Sequence, residues 1–385
     1  MEEIARQTTR STETIAPADA AALAVAVRAA AERGVAVRPV GGGTVRGPHA
    51  EREECVKQRE EYIALSTTQL NRLIDYPAAD MTITVEAGMT IAELNRQLAA
   101  ARQWLPIDVP WPDRATVGGA IAVDAAGPRR YAYGTIRDYL LGFTAVDGVG
   151  TTFSGGGRVV KNAAGYNMCR LMAGSWGTLG VITQATLMVR PMPEASALLA
   201  CEVPDFDLAE KLLAGLVRTP VQPVAVELAA GRQPDGNPLF GPLLDGSVCR
   251  LYVGFEAAAA EVAWMLDVLR ESWTSLGMAS PVLMPNLATD RLWRWMAELP
   301  ADRELRVLPS QTVATVADLL KADPDCSVHA HAGDGVIRVA DANIATDRGL
   351  GTSVPSGRSA DPQNPENRVL QAIKNRFDPK NILNP

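Results

Sequence analysis

The chain has 385 residues, 47% of them hydrophobic and 21% charged, with a formal net charge of −7. Such a length supports two or three domains with sizeable cores, and such a composition excludes wholesale disorder. The acidic balance gives no footing for a nucleic-acid surface. The longest apolar run near the start is broken at Arg28, far short of the about 20 residues of a membrane span.

Glu2 and Glu3 open the chain without a secretory layout, so the expected compartment is the cytoplasm. Cys55, Cys169, Cys201, Cys249 and Cys326 are scattered, with no C-x-x-C. That spacing supports neither a zinc site, a disulfide framework nor an iron–sulfur cluster within this chain.

In chain order, Pro17 suits the first turn of a helix over "ADAAALAVAVRAAAER", and Gly34 stands at its stop. "VAVRPV" is a strand that runs into three successive glycines. "REECVKQREE" (52–61) reads as a solvated insertion, and "YIALST" and "MTITVEAG" as strands. Thr90 and Glu93 make a capping box for the helix "IAELNRQLAAA". "RDYLLGFTAVDGVGTTF" (137–153) is two strands joined at the turn Asp147-Gly148. "TLGVITQATLMVRPMP" (178–193) is a long strand closed by two prolines, which mark a domain boundary.

Beyond it come a strand at 197–203, the helix "DLAEKLLAGLVR", the strands "VAVEL" and "CRLYVGF", the helix "AAAAEVAWMLDVLRESWTSLG" and the strand "LRVLPS". This is a ferredoxin-like order, and the fold class is α+β. "CSVHAHAGDGVIRVA" alternates as a strand, bends at "GDG" and resumes. A polar loop, the helix "RVLQAIKNRF" and the tail "DPKNILNP" finish the chain.

Four glycine-bearing stretches crowd the first half: "PVGGGT" (39–44), "PDRATVGGAIAVDAAGPRRYAYG" (112–134), "SGGGRVVKNAAGYN" (154–167) and "GSWGTLGVIT" (174–183). None has the spacing of a Rossmann fingerprint or a P-loop. A dinucleotide held without either takes its phosphate donors from several loops, because glycine lets the main chain approach a ligand closely. A helix starting at "TVGGAIA" would add its positive end. Each stretch alone reads equally well as a tight turn.

Taken together and in this order, the stretches resemble the PCMH-type FAD domain of the vanillyl-alcohol-oxidase-like family, over roughly residues 17–193. "FDPKNILNP" resembles that family's C-terminal signature and "HAHAGDGVIR" its substrate-side motif. The run "GGRVVKNAAGYNMCRLMAGSWGTLGVITQATLMVRPMPE" is similar to the FAD-binding subunits of glycolate-oxidising complexes. The resemblance implies a two-subdomain FAD domain over 1–193 and a ferredoxin-like cap over 194–385 whose tail returns to the FAD domain. It implies that Pro39, Val40, Gly41, Gly42, Gly43 and Thr44 wrap the FAD pyrophosphate. Thr116, Gly118 and Gly119 complete the cradle, and Tyr133, Gly134, Gly177, Thr178, Gly180 and Ile182 pass beside the cofactor. Arg129 and Arg130 either neutralise phosphate charge or are surface arginines. Thr44 follows the glycines, and no Cys lies in 112–134, so non-covalent FAD is expected. His49 reads as an exposed loop histidine. Trp176 either stacks near the flavin or packs, and Trp264, Trp273, Trp293 and Trp295 fall on helical patterns as core or subunit contacts.

Related D-2-hydroxyacid dehydrogenases carry H-x-G-D-G-N-x-H, whose two His hold a metal. Here His331 is retained, Val336 replaces the Asn, and Arg338 takes the second His position. No Glu-His pair follows, and no metal is expected. His331 is a general base, half of a metal site with His329, or a hydrogen-bonded structural residue. Arg338 clamps a substrate carboxylate or pairs with Asp334 or Asp341. His331 and Arg338 are thus the catalytic candidates.

The resemblance implies an FAD-binding subunit that oxidises glycolate to glyoxylate. Its expected partners are a homologous flavoprotein subunit and an iron–sulfur subunit. Through those partners it would sit in the cytoplasm or peripherally at the inner face of a membrane. The alternatives are a self-sufficient FAD-dependent oxidoreductase of a small hydroxy acid or alcohol, and a structural subunit with vestigial loops.

Overall fold

Helices and strands follow the sequence periodicities closely. The computed structural model describes residues 13–45, 62–157, 167–232, 248–278, 282–284, 293–294, 296–298, 303–340 and 365–384. His49, Cys55, Trp295, Asp341, the 52–61 insertion and the polar loop before "RVLQAIKNRF" lie outside the described residues. The chain divides into two compact units. One takes residues up to Ala125, Thr135–Met192 and the C-terminal segment, and the other takes Ala126–Gly134 and the residues from Pro193 to Arg358.

In the first unit, β1 (Glu13–Ile15), β2 (Ala36–Val40) and β3 (Tyr62–Ser66) form a parallel sheet in the order β1-β3-β2. The helix Ala20–Arg33 connects β1 to β2. Asp19, with extended backbone, caps it by accepting the Ala22 N–H at 2.7 Å, so Pro17 precedes the cap rather than filling the first turn. Gly34 ends it at φ 67°. Leu23, Val27, Ala30 and Ala31 pack on Val37, Ile63 and Leu65, and Ile382 and Leu383 of the C-terminal tail join the same core.

β4 (Leu73–Asp75), β5 (Thr82–Glu86), β7 (Leu140–Val146), β8 (Thr152–Gly156) and β9 (Val181–Met188) form an antiparallel sheet in the order β4-β5-β9-β7-β8. β6 (Gln103–Trp104) pairs with β10 (Arg190–Pro191). The β7–β8 connection spans 147–151 rather than a two-residue turn. The Asp147 carboxylate accepts the N–H groups of Val149 and Thr151, which supports the longer loop. Thr90 caps the helix Ile91–Ala99 through the Glu93 N–H. The Glu93 carboxylate itself turns to Arg96 and Gln97, so half of the expected box forms.

The helix Pro365–Phe377 brings the tail back onto this unit. Lys374 Nζ donates to Asp378 at 2.6 Å, to the Thr178 carbonyl at 2.8 Å and to the Leu383 carbonyl at 2.6 Å. The buried Asp378 carboxylate accepts the N–H groups of Ile382 and Leu383, and Leu383 bridges to Val37.

The second unit is a seven-stranded sheet: β11 (Ala195–Val203), β12 (Ala225–Gly231), β13 (Cys249–Ala257), β14 (Val282–Met284), β15 (Arg303–Arg306), β16 (Ser327–His331) and β17 (Val336–Ala340). The order is β14-β11-β13-β12-β16-β17-β15. Its first four strands have the ferredoxin-like arrangement. The fourth strand of that motif is Val282–Met284, paired with β11, whereas "LRVLPS" supplies β15 at the opposite edge.

One face of this sheet packs Val226, Leu228, Leu251, Val253, Val328 and Ala330 against the helices Phe206–Arg218, Ala259–Ser275 and Thr312–Ala322. Trp273 lies wholly inside and donates Nε1–H to the Leu212 carbonyl, while Trp293 is buried in a second cluster with Tyr252 and Ala229. Trp264 faces solvent instead of the core, being 48% exposed.

Candidate functional site

Three of the glycine loops converge in the first unit on a cleft of about 360 Å³. Pro39, Val40, Gly41, Gly42, Gly43 and Thr44 follow β2. Thr116, Gly118 and Gly119 open the helix Val117–Val123, and Gly177, Gly180 and Ile182 lead into β9; all of these line it. Trp176, which the sequence left between stacking near the flavin and packing, lines it too, as does Asn384, which the sequence did not single out.

Glycines line the cleft where the loops pack closely on one another. A Cβ on Gly42 would overlap the Arg114 carbonyl, and one on Gly41 would overlap the Thr116 hydroxyl. Gly118 donates its N–H to the Ala87 carbonyl at 2.7 Å, and a Cβ there would come within 2.8 Å of the Ala87 Cβ. These three glycines are required by packing between loops. Gly43 and Gly119 differ. Gly43 has φ 63° and no neighbour within 4 Å of a built Cβ, and at Gly119 the single contact is Thr116 Oγ1 at 3.0 Å. The space beside those two belongs to the cleft.

Trp176 adopts φ 55°, costly for a bulky residue, and is tied by its N–H to the Ala122 carbonyl and by its carbonyl to Asn384 Nδ2. Gly177 follows at φ 71° against Pro39. The C-terminal Asn384 thereby fixes the third loop at the cleft.

Five of the expected cofactor residues are not on the cleft. Thr178 donates its hydroxyl to the Ser175 carbonyl, away from the lining. Arg129, Arg130, Tyr133 and Gly134 belong to the second unit. Arg129 Nε pairs with the buried Glu256 at 2.8 Å, and its guanidinium stacks 4.8 Å from the Trp293 ring centre. Arg130 lies 3.9 Å from Asp334. Carboxylates thus lie beside both arginines.

The second unit assembles its own polar cluster. His329 and His331 share one face of β16, opposite Val328 and Ala330. Glu227 on β12 stands directly across from His331. His331 Nδ1 lies 2.8 Å and 3.0 Å from the two Glu227 oxygens. His329 Nε2 is 2.8 Å from Glu227 Oε2 but off the hydrogen-bond axis, so among the described residues neither ring nitrogen of His329 has an aligned hydrogen-bond partner. All three side chains are at least 96% buried.

Burial pushes the Glu227 carboxyl well above the usual carboxylate range, with His329 opposing. Burial, reinforced by the Arg338 charge, holds His331 far below an ordinary imidazole, and burial lowers His329 as well. Both rings are neutral at pH 7. Arg338 is the cross-strand partner of His329 and pairs at 3.8 Å with Glu304, rather than with Asp334. Sequence reasoning named His331 and Arg338 and missed Glu227. The available signal was one carboxylate in the middle of the apolar strand "AVELAA".

Residues 12–156 match the FAD binding domain family. The glycolate oxidase subunit GlcE of Escherichia coli strain K12 is 29% identical over 318 residues, 81% of this chain and 83% of that protein. The D-2-hydroxyglutarate dehydrogenase of Xanthomonas citri pv. viticola is 28% identical over 419 residues, covering 93% and 85%. The D-lactate dehydrogenase of Archaeoglobus fulgidus is 33% identical over 219 residues, covering 57% and 47%. An alkyldihydroxyacetonephosphate synthase structure superposes with a TM-score of 0.72 over 97% of this chain and 76% of its own, at 19% identity, which shows the shared fold.

The match over residues 12–156, together with relatives that are hydroxy-acid oxidases and dehydrogenases, makes this an FAD-dependent oxidoreductase with FAD as its cofactor. Within that class, glycolate oxidase subunits are among its relatives.

Proposed function

We propose that this chain is the FAD-binding subunit of a complex that oxidises glycolate to glyoxylate and passes electrons through its flavin to an iron–sulfur subunit, beside a homologous flavoprotein. The observation that carries the reading is the glycine-rich cleft formed by the loops at Gly41–Thr44, Thr116–Gly119 and Trp176–Gly180. Glycine loops let the main chain approach a diphosphate closely, as side chains would not. When bound, FAD supplies a two-electron acceptor for the hydroxy-acid carbon. A non-covalent cofactor remains part of this reading, and the described lining residues offer no His or Cys. The choice of glycolate among 2-hydroxy acids rests on similarity to the GlcE protein along most of both chains.

On the substrate side, His331 is engaged with Glu227 and Arg338 with Glu304. We therefore assign His331 and Arg338 a supporting part, the main substrate site belonging to the homologous subunit. No helix among the described residues is long and apolar enough to cross a membrane, so any place at the inner face of a membrane would come through the partners.

The test is purification alone and with the two candidate partners. Alone, the chain should carry flavin and turn over glycolate weakly or not at all. With partners, glycolate should bleach the flavin and reduce an external acceptor. Full turnover by the isolated chain would sink the subunit reading, and absence of flavin uptake would favour a structural role. Within the complex, His331→Ala and Arg338→Ala should keep FAD and lower activity only partly. Complete loss of glycolate oxidation in His331→Ala would place the chemistry in this chain.

A further inference from the structure

We propose that Glu227, His329 and His331 form a binding site for one divalent transition-metal ion of the zinc class. The proposal is independent of the flavin reading, because all three ligands lie in the second unit and none lines the cleft.

The geometry comes from strand register. β12 and β16 are antiparallel neighbours, with Glu227 opposite His331 and Ala229 opposite His329. The two imidazoles and the carboxylate therefore project from one sheet face within a single pair of residues. One ligand atom from each lies within 4.8 Å of the other two. Two imidazoles and one carboxylate are a common donor set for zinc, and three protein ligands leave a fourth position for water or an anion. Metal bonds of about 2.0–2.2 Å set neighbouring donors roughly 3.3 Å apart. The 2.8 Å separations from Glu227 Oε2 to each ring need open by only about half an ångström.

Two features of the site call for a cation. Glu227 is buried, and the basic groups within ion-pair reach of it among the described residues are the two histidines. No lysine or arginine among the described residues comes within ion-pair distance of that carboxyl, so the buried site holds no fixed positive charge against it. Among the described residues neither ring nitrogen of His329 has an aligned hydrogen-bond partner, Nε2 meeting Glu227 Oε2 at 2.8 Å off axis, while its side chain is 4% exposed. A buried polar ring left unsatisfied is rare, and a metal at Nε2 satisfies it. The surrounding charges are balanced around the site. Asp334 favours a cation and Arg338 opposes it. Arg338 is itself paired with Glu304, and Arg130 with Asp334.

Full-length protein would be stripped with a chelator and titrated with Co²⁺ and Zn²⁺, with and without added FAD. The expected result is one Co²⁺ per chain with visible ligand-field bands, displacement by Zn²⁺, and a Zn²⁺-dependent rise in melting temperature. Glu227→Gln keeps the side-chain shape, and His329→Ala removes one donor. Each should weaken Co²⁺ binding at least about 100-fold, since loss of a direct ligand exceeds the 10–100-fold cost typical of outer partners. Metal uptake should be unchanged by FAD, so failure of either reading is seen separately. No Co²⁺ bands and no Zn²⁺ effect on melting in the wild type would overturn the site. Equal binding by both variants would overturn it too. Should both variants misfold, the wild-type stoichiometry and bands decide.

Discussion

Substituting Gly42 and Gly119 should separate two reasons for glycine in the same cleft. At Gly42 an added Cβ overlaps the Arg114 carbonyl, and Arg114 Nη2 also donates to the Gly42 carbonyl at 3.2 Å. Backbone faces backbone there, so the strain has no flexible side chain to absorb it. Overpacking of this kind costs about 1–3 kcal/mol. For a domain of roughly 150–250 residues that is a melting temperature lower by about 2–12 °C. Gly42→Ala should therefore lose stability in the apo protein, whatever it does to FAD. At Gly119 the built Cβ touches Thr116 Oγ1 alone, at 3.0 Å, and that hydroxyl, which accepts the Gly119 N–H as the helix cap, needs to give by only a few tenths of an ångström. Val is also slightly better than Gly inside a helix, by a few tenths of a kcal/mol. Gly119→Val should melt within about 2 °C of wild type when both are apo. Its methyls, however, enter the cleft. Flavin affinity should fall at least about tenfold, equivalent to about 1.4 kcal/mol. Apo melting curves and visible flavin absorbance per chain measure both quantities. Wild-type flavin affinity in Gly119→Val would refute the assignment of the cleft, and a wild-type apo melt in Gly42→Ala would refute the packing argument.

Arg129→Ala should leave FAD affinity unchanged and destabilise the second unit by about 3–5 kcal/mol, because it strands the Glu256 carboxylate, whose side chain is 1% exposed. Weaker flavin binding with normal stability would restore a phosphate role. Asp378→Ala removes the acceptor of two tail N–H groups and the partner of Lys374. It should cost about 3–5 kcal/mol by urea unfolding and make the C-terminal segment sensitive to carboxypeptidase; an unchanged midpoint would show that the tail is not anchored this way. Burial pushes the Cys201 and Cys249 thiols up to about 12 from an ordinary value near 9. Below pH 9 both states keep these protons. Between pH 9 and 12 only the unfolded chain releases them, so stability falls by up to about 1.4 kcal/mol per pH unit for each thiol. Alkaline urea titrations of wild type against the double Cys→Ala variant should show a flatter slope in the variant, and parallel slopes would refute the attribution.

Local signals in the chain were enough for many elements. Runs of helix formers ended by Gly34, the Thr90 cap and the alternation of "YIALST" each act within a few residues, and the corresponding elements appear at those places. The loops at Gly41–Thr44 and Thr116–Gly119 were legible as cofactor candidates only through their order along the chain and the family that order resembles, since each glycine run alone reads as a turn. Long-range pairing was not written in any local window. "VLM" is only three residues, and its place beside β11 depends on a partner more than eighty positions away. "TVATVADLLKA" is rich in β-branched residues, and packing of Val313, Val316 and Leu319 on the second unit's core makes it a helix. The segment holding Arg129 follows the glycine helix in sequence, yet its ion pair with Glu256 places it in the other unit. Glu227 and His331 are 104 residues apart and meet only because β12 and β16 are paired in that register. Periodicity and caps are properties of neighbouring residues, whereas a site built across strands exists only once the chain has closed its sheet, and that closure decided which side chains Glu227 would face.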